Sequence, residues 1–294
     1  MADATAPTAG FVRSNRRVLL GGLAVATFFI AWQAVFLFVP LNTLFITTPG
    51  LMAEALVRLV DSGELFYDLG VSAVPFAYGF GAAVLVGVPL GIVMGWRVRV
   101  GYALDPLMTA LYASPLVALA PLVVIFLGVG VSGKAIIIFV LAVFPFVFNA
   151  CTGVRTVDRL LINVVCSLGG SEKDLYLKVI FPSVLPYIVA GARIAVGRAL
   201  IGILVGEFFA ASEGIGYAIA RFGDMYALDN MFACILVITV IAVLFTEGIR
   251  WAERTAFPWR REVMTLPCLR PSGNCWWPWE RWSFPYWKVC LPGS

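Results

Sequence analysis

The stretch "SLGGSEKDLYLKVIFPSVLPYI", Ser167–Ile188, decides how the chain is read. Its adjacent glycines, Gly169 and Gly170, interrupt a helical pattern whose apolar face is Val157, Leu160, Leu161, Val164, Val165 and Leu168. Directly after the break, Ser171 with Asp174 three residues on resembles a capping box. Glu172 and Asp174 put carboxylates where a helix start is electropositive. Pro182 is expected to end this second, short helix, because it has no amide hydrogen to donate. A helix-turn-helix is thereby inserted into an otherwise apolar chain. It belongs to a connection running from about residue 152 to 185, whereas most helix connections need only a handful of residues. An exposed helix with an apolar face beside charges offers shape for grip and charge for register, so a docking role is expected.

Around this elbow the solvent is lipid. The 294-residue chain is 61% hydrophobic and 13% charged, with mean hydropathy +0.93, beyond the range of soluble domains. Apolar runs suited to about 30 Å of hydrocarbon fall at 18–39, 73–95, 103–128, 134–151, 186–208 and 231–249. They predict an all-α integral membrane protein with about six transmembrane helices. Pro115 and Pro121 break the third run, where a bent helix is expected. The first run lacks a small-residue cleavage site and reads as a retained span. The expected organisation is a cytoplasmic N-terminal segment 1–17, a six-span domain 18–262, and a Trp/Pro/Cys-rich tail 263–294 without helical period.

Six crossings leave both termini on one side. Sixteen Lys and Arg residues flank the spans on the side shared by the termini and the elbow, against Arg58, Lys134 and Arg221 opposite, so the shared side is the cytoplasm. The outer connections are acidic instead, with Glu54, Asp61, Glu64 and Asp68 in one and Glu213, Asp224 and Asp229 in the other. They read as solvated loop charge, or as a docking surface for a partner outside the membrane.

Several function classes fall away. The chain has no histidine, which removes HExxH zinc sites, Ser-His dyads and imidazole proton relays, so no catalytic residue is assigned. A net charge of +4, scattered along the chain, suggests no nucleic-acid partner. Cys151, Cys166 and Cys234 sit in or beside apolar runs as packing residues. Cys268, Cys275 and Cys290 lie in the tail without a CxxC pair, so neither a disulfide nor a metal site is expected. "GVGVSGKA", Gly128–Ala135, fits most of a phosphate-binding loop, but Ala135 stands where Mg²⁺ needs a hydroxyl. It reads as a tight turn on the outer face with Lys134 at the interface.

Gly79, Ala83, Gly87, Gly91 and Gly95 recur every fourth position of the second run, and Gly202 and Gly206 repeat the spacing in the fifth. Such rows let helices approach closely where lipid gives no hydrophobic drive. Span five also carries Arg193, Arg198 and Glu207. A lone charge in lipid is costly, so each needs a partner, water or an interface. Arg193 is expected to snorkel at the cytoplasmic end. Arg198, about 18 Å along a helix begun at Pro186, falls near mid-membrane. It reads as a translocation-pathway residue, with a structural pair inside the bundle as the competing reading. Glu207 reads as a gate constituent or a hydrogen-bonded anchor, and Glu247 as a partner of Arg250 or Arg254.

At the elbow the sequence also resembles a known family. Leu168, Gly169 and Val179-x-Phe181-Pro182 match the EAA loop of permease subunits in binding-protein-dependent ABC importers, whose pattern continues with a glycine and then I-x-L-P. "SVLPYIVAGARIAVGRALIGILVGEFFAASEGIGYAI" and "DPLMTALYASPLVALAPLVVIFLGVGVSGK" are similar to the sulfonate, taurine and nitrate branch, over roughly residues 15 to 262. The resemblance implies a type I ABC importer permease in a bacterial inner membrane, carrying a small anionic solute. It also implies a second copy of the chain, an extracytoplasmic solute-binding protein, and a cytoplasmic ATPase that alone binds ATP and Mg. The ATPase would be coupled through Asn163, Leu168, Gly169, Gly170, Ser171, Glu172, Asp174 and Pro182. Asn163, Val164 and Val165 replace the family's Glu-Ala-Ala, leaving Glu172 or Asp174 to take over any ion pair made by that glutamate. For an anion, the guanidinium of Arg198 offers a planar fork. The alternative is a secondary transporter working without an ATPase, for which internal repeats and more buried acids are expected.

Overall fold

A computed structural model describes residues 20–34, 47–210 and 212–256. The segments expected at 1–17 and 263–294, with the tail cysteines and the end of the first apolar run, lie outside them. No strand occurs among the described residues. In chain order the helices are α1 (Leu20–Ala34), α2 (Pro49–Asp61), α3 (Glu64–Trp96), α4 (Val98–Ala113), α5 (Ala120–Leu127), α6 (Val131–Arg155) and α7 (Arg159–Ser167). They continue as α8 (Glu172–Leu175), α9 (Phe181–Ala210), α10 (Ile215–Asp224) and α11 (Leu228–Ala256). The chain forms two compact units, Met1–Glu253 and Arg254–Ser294, and the helical bundle belongs to the first.

The bundle is organised around α6, which packs along α3 on one side and α9 on the other. The small-residue rows explain why. A Cβ on Gly79 would lie 2.7 Å from Ile138 Cβ, and one on Gly91 would lie 2.8 Å from Ala150 Cβ, so only glycine lets α3 come this close. These pairings rise together in sequence, so α3 and α6 run parallel. On the opposite side Gly191 meets Asn149 and Gly202 meets Ile138, which makes α9 antiparallel to α6. Ala83, Met94, Ile138, Ala142, Phe146, Val147, Ala195 and Ala199 fill the space between them.

Four helices are long and apolar enough to cross a membrane: Glu64–Trp96, Val131–Arg155, Glu172–Phe209 and Leu228–Thr255. The third expected crossing is the pair Val98–Ala113 and Leu116–Leu127, bent by 78° where Pro115 interrupts the ladder. Its first half begins with Gly101 against Met94 and Arg155, at the end where α3 and α6 finish. Its second half ends at Gly128, beside Gly133 where α6 starts. The two halves together therefore make one passage. α1 is described for 15 residues, a shorter apolar helix.

One expectation is corrected. Pro182 does not end the second helix of the elbow. A π-turn at Tyr176–Ile180 links α8 to α9, and Glu172–Phe209 is a single helix of 38 residues. The amide of Phe181 bonds to Tyr176, five residues back, and this wider turn accommodates a proline that has no N–H and whose ring would crowd the preceding carbonyl.

Candidate functional site

The elbow is built by local rules. Asp158 starts α7 by accepting the Leu160 amide at 2.8 Å. At the far end Gly169 takes φ +73°, its amide bonds to the Cys166 carbonyl, and that of Gly170 bonds to the Val165 carbonyl. This pair of bonds is a Schellman stop, which needs the left-handed residue that glycine supplies. Ser171 then opens α8: its hydroxyl accepts the Asp174 amide, and the Asp174 carboxylate accepts the Ser171 amide at 3.1 Å. The expected capping box is present. One helix is stopped and the next started within three residues, which fixes their relation without a long linker.

Ile162 and Val165 turn α7 inward, against Leu175, Val179, Ile180 and Val184. The other face stays open. Leu160, Leu161, Val164 and Leu168 are exposed, Leu168 by 82%, and Asn163 is exposed among them. A cavity of about 340 Å³ beside the elbow is lined by Trp96, Glu172, Lys173, Tyr176 and Leu177. The two elbow carboxylates differ. Asp174 is held by Ser171 and by Lys178 at 2.8 Å, whereas Glu172, 80% exposed, has only Arg97 at 3.8 Å among the described residues. Glu172 is thus the carboxylate with capacity left over.

At the other end of the bundle lies a polar cluster that sequence reasoning caught only in part. Glu207 is fully buried. Its Oε1 accepts the Ser72 hydroxyl at 2.8 Å and faces Lys134 Nζ at 3.4 Å, while Oε2 accepts the Gly216 amide at 2.7 Å. Asp68, also buried, accepts the Gly214 amide at 3.2 Å, and Ser72 accepts that of Ile215 at 3.0 Å. A side chain on Gly214 would fall on the Glu207 carboxylate itself. Glu207 therefore ties α9 to the start of α10, in keeping with an anchor. Lys134, expected at the interface, is instead 8% exposed. It sits one turn into α6, on the face where Gly206 lets α9 approach, and folds inward to Glu207 and the Glu213 carbonyl.

The acidic connections are also largely engaged. Glu64 pairs with Arg221, Asp229 with Arg58 at 2.7 Å, and Glu213 accepts the Tyr67 hydroxyl at 2.9 Å. Within the bundle Arg193 does not snorkel alone but pairs with Glu253, and Glu247 pairs with Arg250 as expected. Arg198 is different. It is exposed, and its contact is Tyr112, whose hydroxyl lies 3.5 Å from Nη2. Tyr112 had no sequence signal beyond its place two residues before Ser114, where α4 stops. Among the described residues, no group of three or more His, Cys, Asp or Glu side chains is placed to hold a metal ion.

These features define a multispan helical membrane protein with a capped polar elbow at one end, a polar clasp at the other and, between them, a cation without an acidic partner among the described residues. Residues 87–254 match the family described as "Binding-protein-dependent transport system inner membrane component". The chain is 32% identical over 254 residues to the taurine transport system permease protein TauC of Escherichia coli (strain K12), covering 85% of this chain and 92% of that protein. It is 29% identical over 211 residues to the formylaminopyrimidine transport permease protein ThiX of Halalkalibacterium halodurans, covering 71% and 84%. With the nitrate import permease protein NrtB of Synechocystis it shares 26% over 251 residues, covering 82% and 90%. The chain belongs to the binding-protein-dependent transport permease family. It is a permease subunit of an ABC importer, a transporter component rather than an enzyme, and the expected branch is the one found.

Proposed function

We propose that this permease carries a small anionic solute, such as a sulfonate, taurine or nitrate, inward through a pathway between two copies of the chain. A separate ATPase that binds ATP and Mg grips the elbow from the cytoplasm, and a solute-binding protein delivers cargo at the outer face. Both termini, flanking a six-span domain at 18–262, are then cytoplasmic, in the orientation favoured by the distribution of Lys and Arg.

The observation that carries this reading is the continuity of the elbow with α9. The exposed apolar face of α7 gives a partner something to hold, and α8 runs through the π-turn into α9 without a flexible joint. A displacement at Ser171–Asp174 is therefore handed to the helix that carries Arg198 and Glu207, as rigid-body alternating access requires. ThiX is named for a formylaminopyrimidine, so family membership alone does not select an anion. What favours one is Arg198, a cation on an apolar helix with no acidic partner among the described residues. Left against lipid it would cost several kcal/mol, so a polar pathway facing it is the cheaper arrangement.

The test is reconstitution in lipid vesicles with and without the candidate ATPase and solute-binding protein, following uptake of labelled taurine and nitrate together with ATP hydrolysis. Uptake that requires both partners and ATP is expected. Uptake by the chain alone would instead establish a secondary transporter.

A further inference from the structure

We propose that Tyr112 and Arg198 form an anion subsite within the membrane, in which Tyr112 positions the guanidinium and shapes what it accepts. This rests on the reading of the chain as the permease for a small anion.

Three cations fall within the apolar stretches of α6 and α9, and two are neutralised: Lys134 by Glu207 and Arg193 by Glu253. Arg198 alone among them has no acidic partner within the described residues. What it has is an aromatic hydroxyl at 3.5 Å and a ring whose centroid lies 5.8 Å from the guanidinium carbon. Both contacts are loose. They orient the guanidinium and leave its N–H donors available.

Tyr112 is itself held. Its ring packs on Phe144 at 5.8 Å and Phe148 at 5.4 Å between centroids, yet the residue remains 41% exposed. It ends α4 just before the chain bends by 78°, and discontinuous helices inside a membrane are where transporters place polar sites. The neighbouring face of α9 is open too, since a Cβ on Gly197 would meet nothing within 4 Å. A planar fork and an orienting hydroxyl at a helix break match a compact oxoanion with two or three acceptor oxygens. A neutral solute would leave the guanidinium uncompensated.

The test uses the full chain with its native cysteines replaced, carrying Ser114→Cys at the same helix break with Tyr112 kept, in lipid nanodiscs. Modification by the anionic sulfonatoethyl methanethiosulfonate is compared with that by the cationic trimethylammonioethyl reagent, each scaled to its rate with free cysteine. A preference for the anion of about ten-fold or more is expected. It should disappear with Arg198→Gln and fall several-fold with Tyr112→Phe, which keeps the ring and removes the orienting hydroxyl. Failure of both reagents to reach the thiol, or an equal preference with and without Arg198, would overturn the subsite. If Ser114→Cys does not assemble as a monodisperse particle, Ala113→Cys at the same break carries the comparison. Co-purification of an ATPase reads the elbow separately. Anion preference in a chain that binds no ATPase keeps the subsite and removes the permease mechanism, whereas ATPase binding without anion preference removes the subsite alone.

Discussion

Lys134 Nζ and Glu207 Oε1, from residues 73 apart in sequence, face each other at 3.4 Å in the interior of the bundle. The partners are not equivalent. Glu207 is enclosed on every side, while Lys134 also reaches the Glu213 carbonyl and has a long stem that can swing toward the end of the helix. Lys134→Ala is therefore expected to destabilise by about 3–5 kcal/mol, the usual cost of stranding a buried charge. Glu207→Gln, whose single amide oxygen can still accept from Ser72 or Gly216 but not from both, should cost about 1–3 kcal/mol. Thermal unfolding in detergent checks the order, and equal losses would show that the pair is not enclosed as described.

The close approach of α3 to α6 makes a second expectation. Gly91→Leu pushes a branched side chain into Ala150 and the Val147 carbonyl, so overpacking of about 1–3 kcal/mol or more should appear as a lower unfolding temperature and a smaller folded yield. Gly81→Ala on the same helix is the control. A Cβ there meets nothing within 4 Å, and removing glycine freedom should leave stability unchanged or raise it by up to about 1 kcal/mol. If the two behave alike, the small-residue row is not the helix contact.

These contrasts show what could be read from the residues. The spans, the broken third crossing, the small-residue rows and the capping box of Ser171 and Asp174 follow from periodicity and short-range chemistry, and each is legible at close spacing along the chain. Pro182 misled because its local meaning, a stop, is overridden when a π-turn supplies the space it needs. Lys134 misled for another reason. Its partner Glu207 is distant in the chain, and only the packing of α6 on α9 brings them together. An isolated lysine and an isolated glutamate near the same end of two apolar runs were the available signal for that pair. Tyr112 had none, since its contact with Arg198 joins residues far apart in the chain and exists only once α4 and α9 are packed.

The exposed face of α7 should behave as a binding surface and not as core. Leu160 and Leu168 are 65% and 82% exposed, so Leu160→Asp and Leu168→Asp should each shift stability by no more than about 0.5 kcal/mol. The same variants should lose most co-purification of the ATPase, because a charge would be buried in the contact without a partner. Val165→Asp reverses the pattern: that side chain packs toward Val179 and Ile180, and the variant should fail to fold. Retained ATPase binding in both leucine variants would move the docking surface elsewhere.

A force applied by a partner at the elbow would meet first a joint and then a lever, and different substitutions separate the two. Gly169 holds φ +73°, where a β-branched residue costs about 1–2 kcal/mol, so Gly169→Val should loosen the Schellman stop and let α7 move independently of α8. Asp174→Lys removes the capping box and places a cation beside Lys178, with a similar local effect. In both variants the bundle around α6 is untouched, so insertion and ATP hydrolysis should persist while uptake per ATP falls several-fold. Pro182→Ala acts differently. It restores a missing donor, permits the π-turn to tighten into regular α-helix, and rotates α8 relative to α9 by the residue that the wide turn absorbs. That variant should remain at least as stable as the parent yet transport poorly, since its lever is intact but pointed in a different direction. Uptake and hydrolysis measured on the same vesicles decide the matter: normal coupling in all three variants would mean that the path from elbow to α9 carries no load.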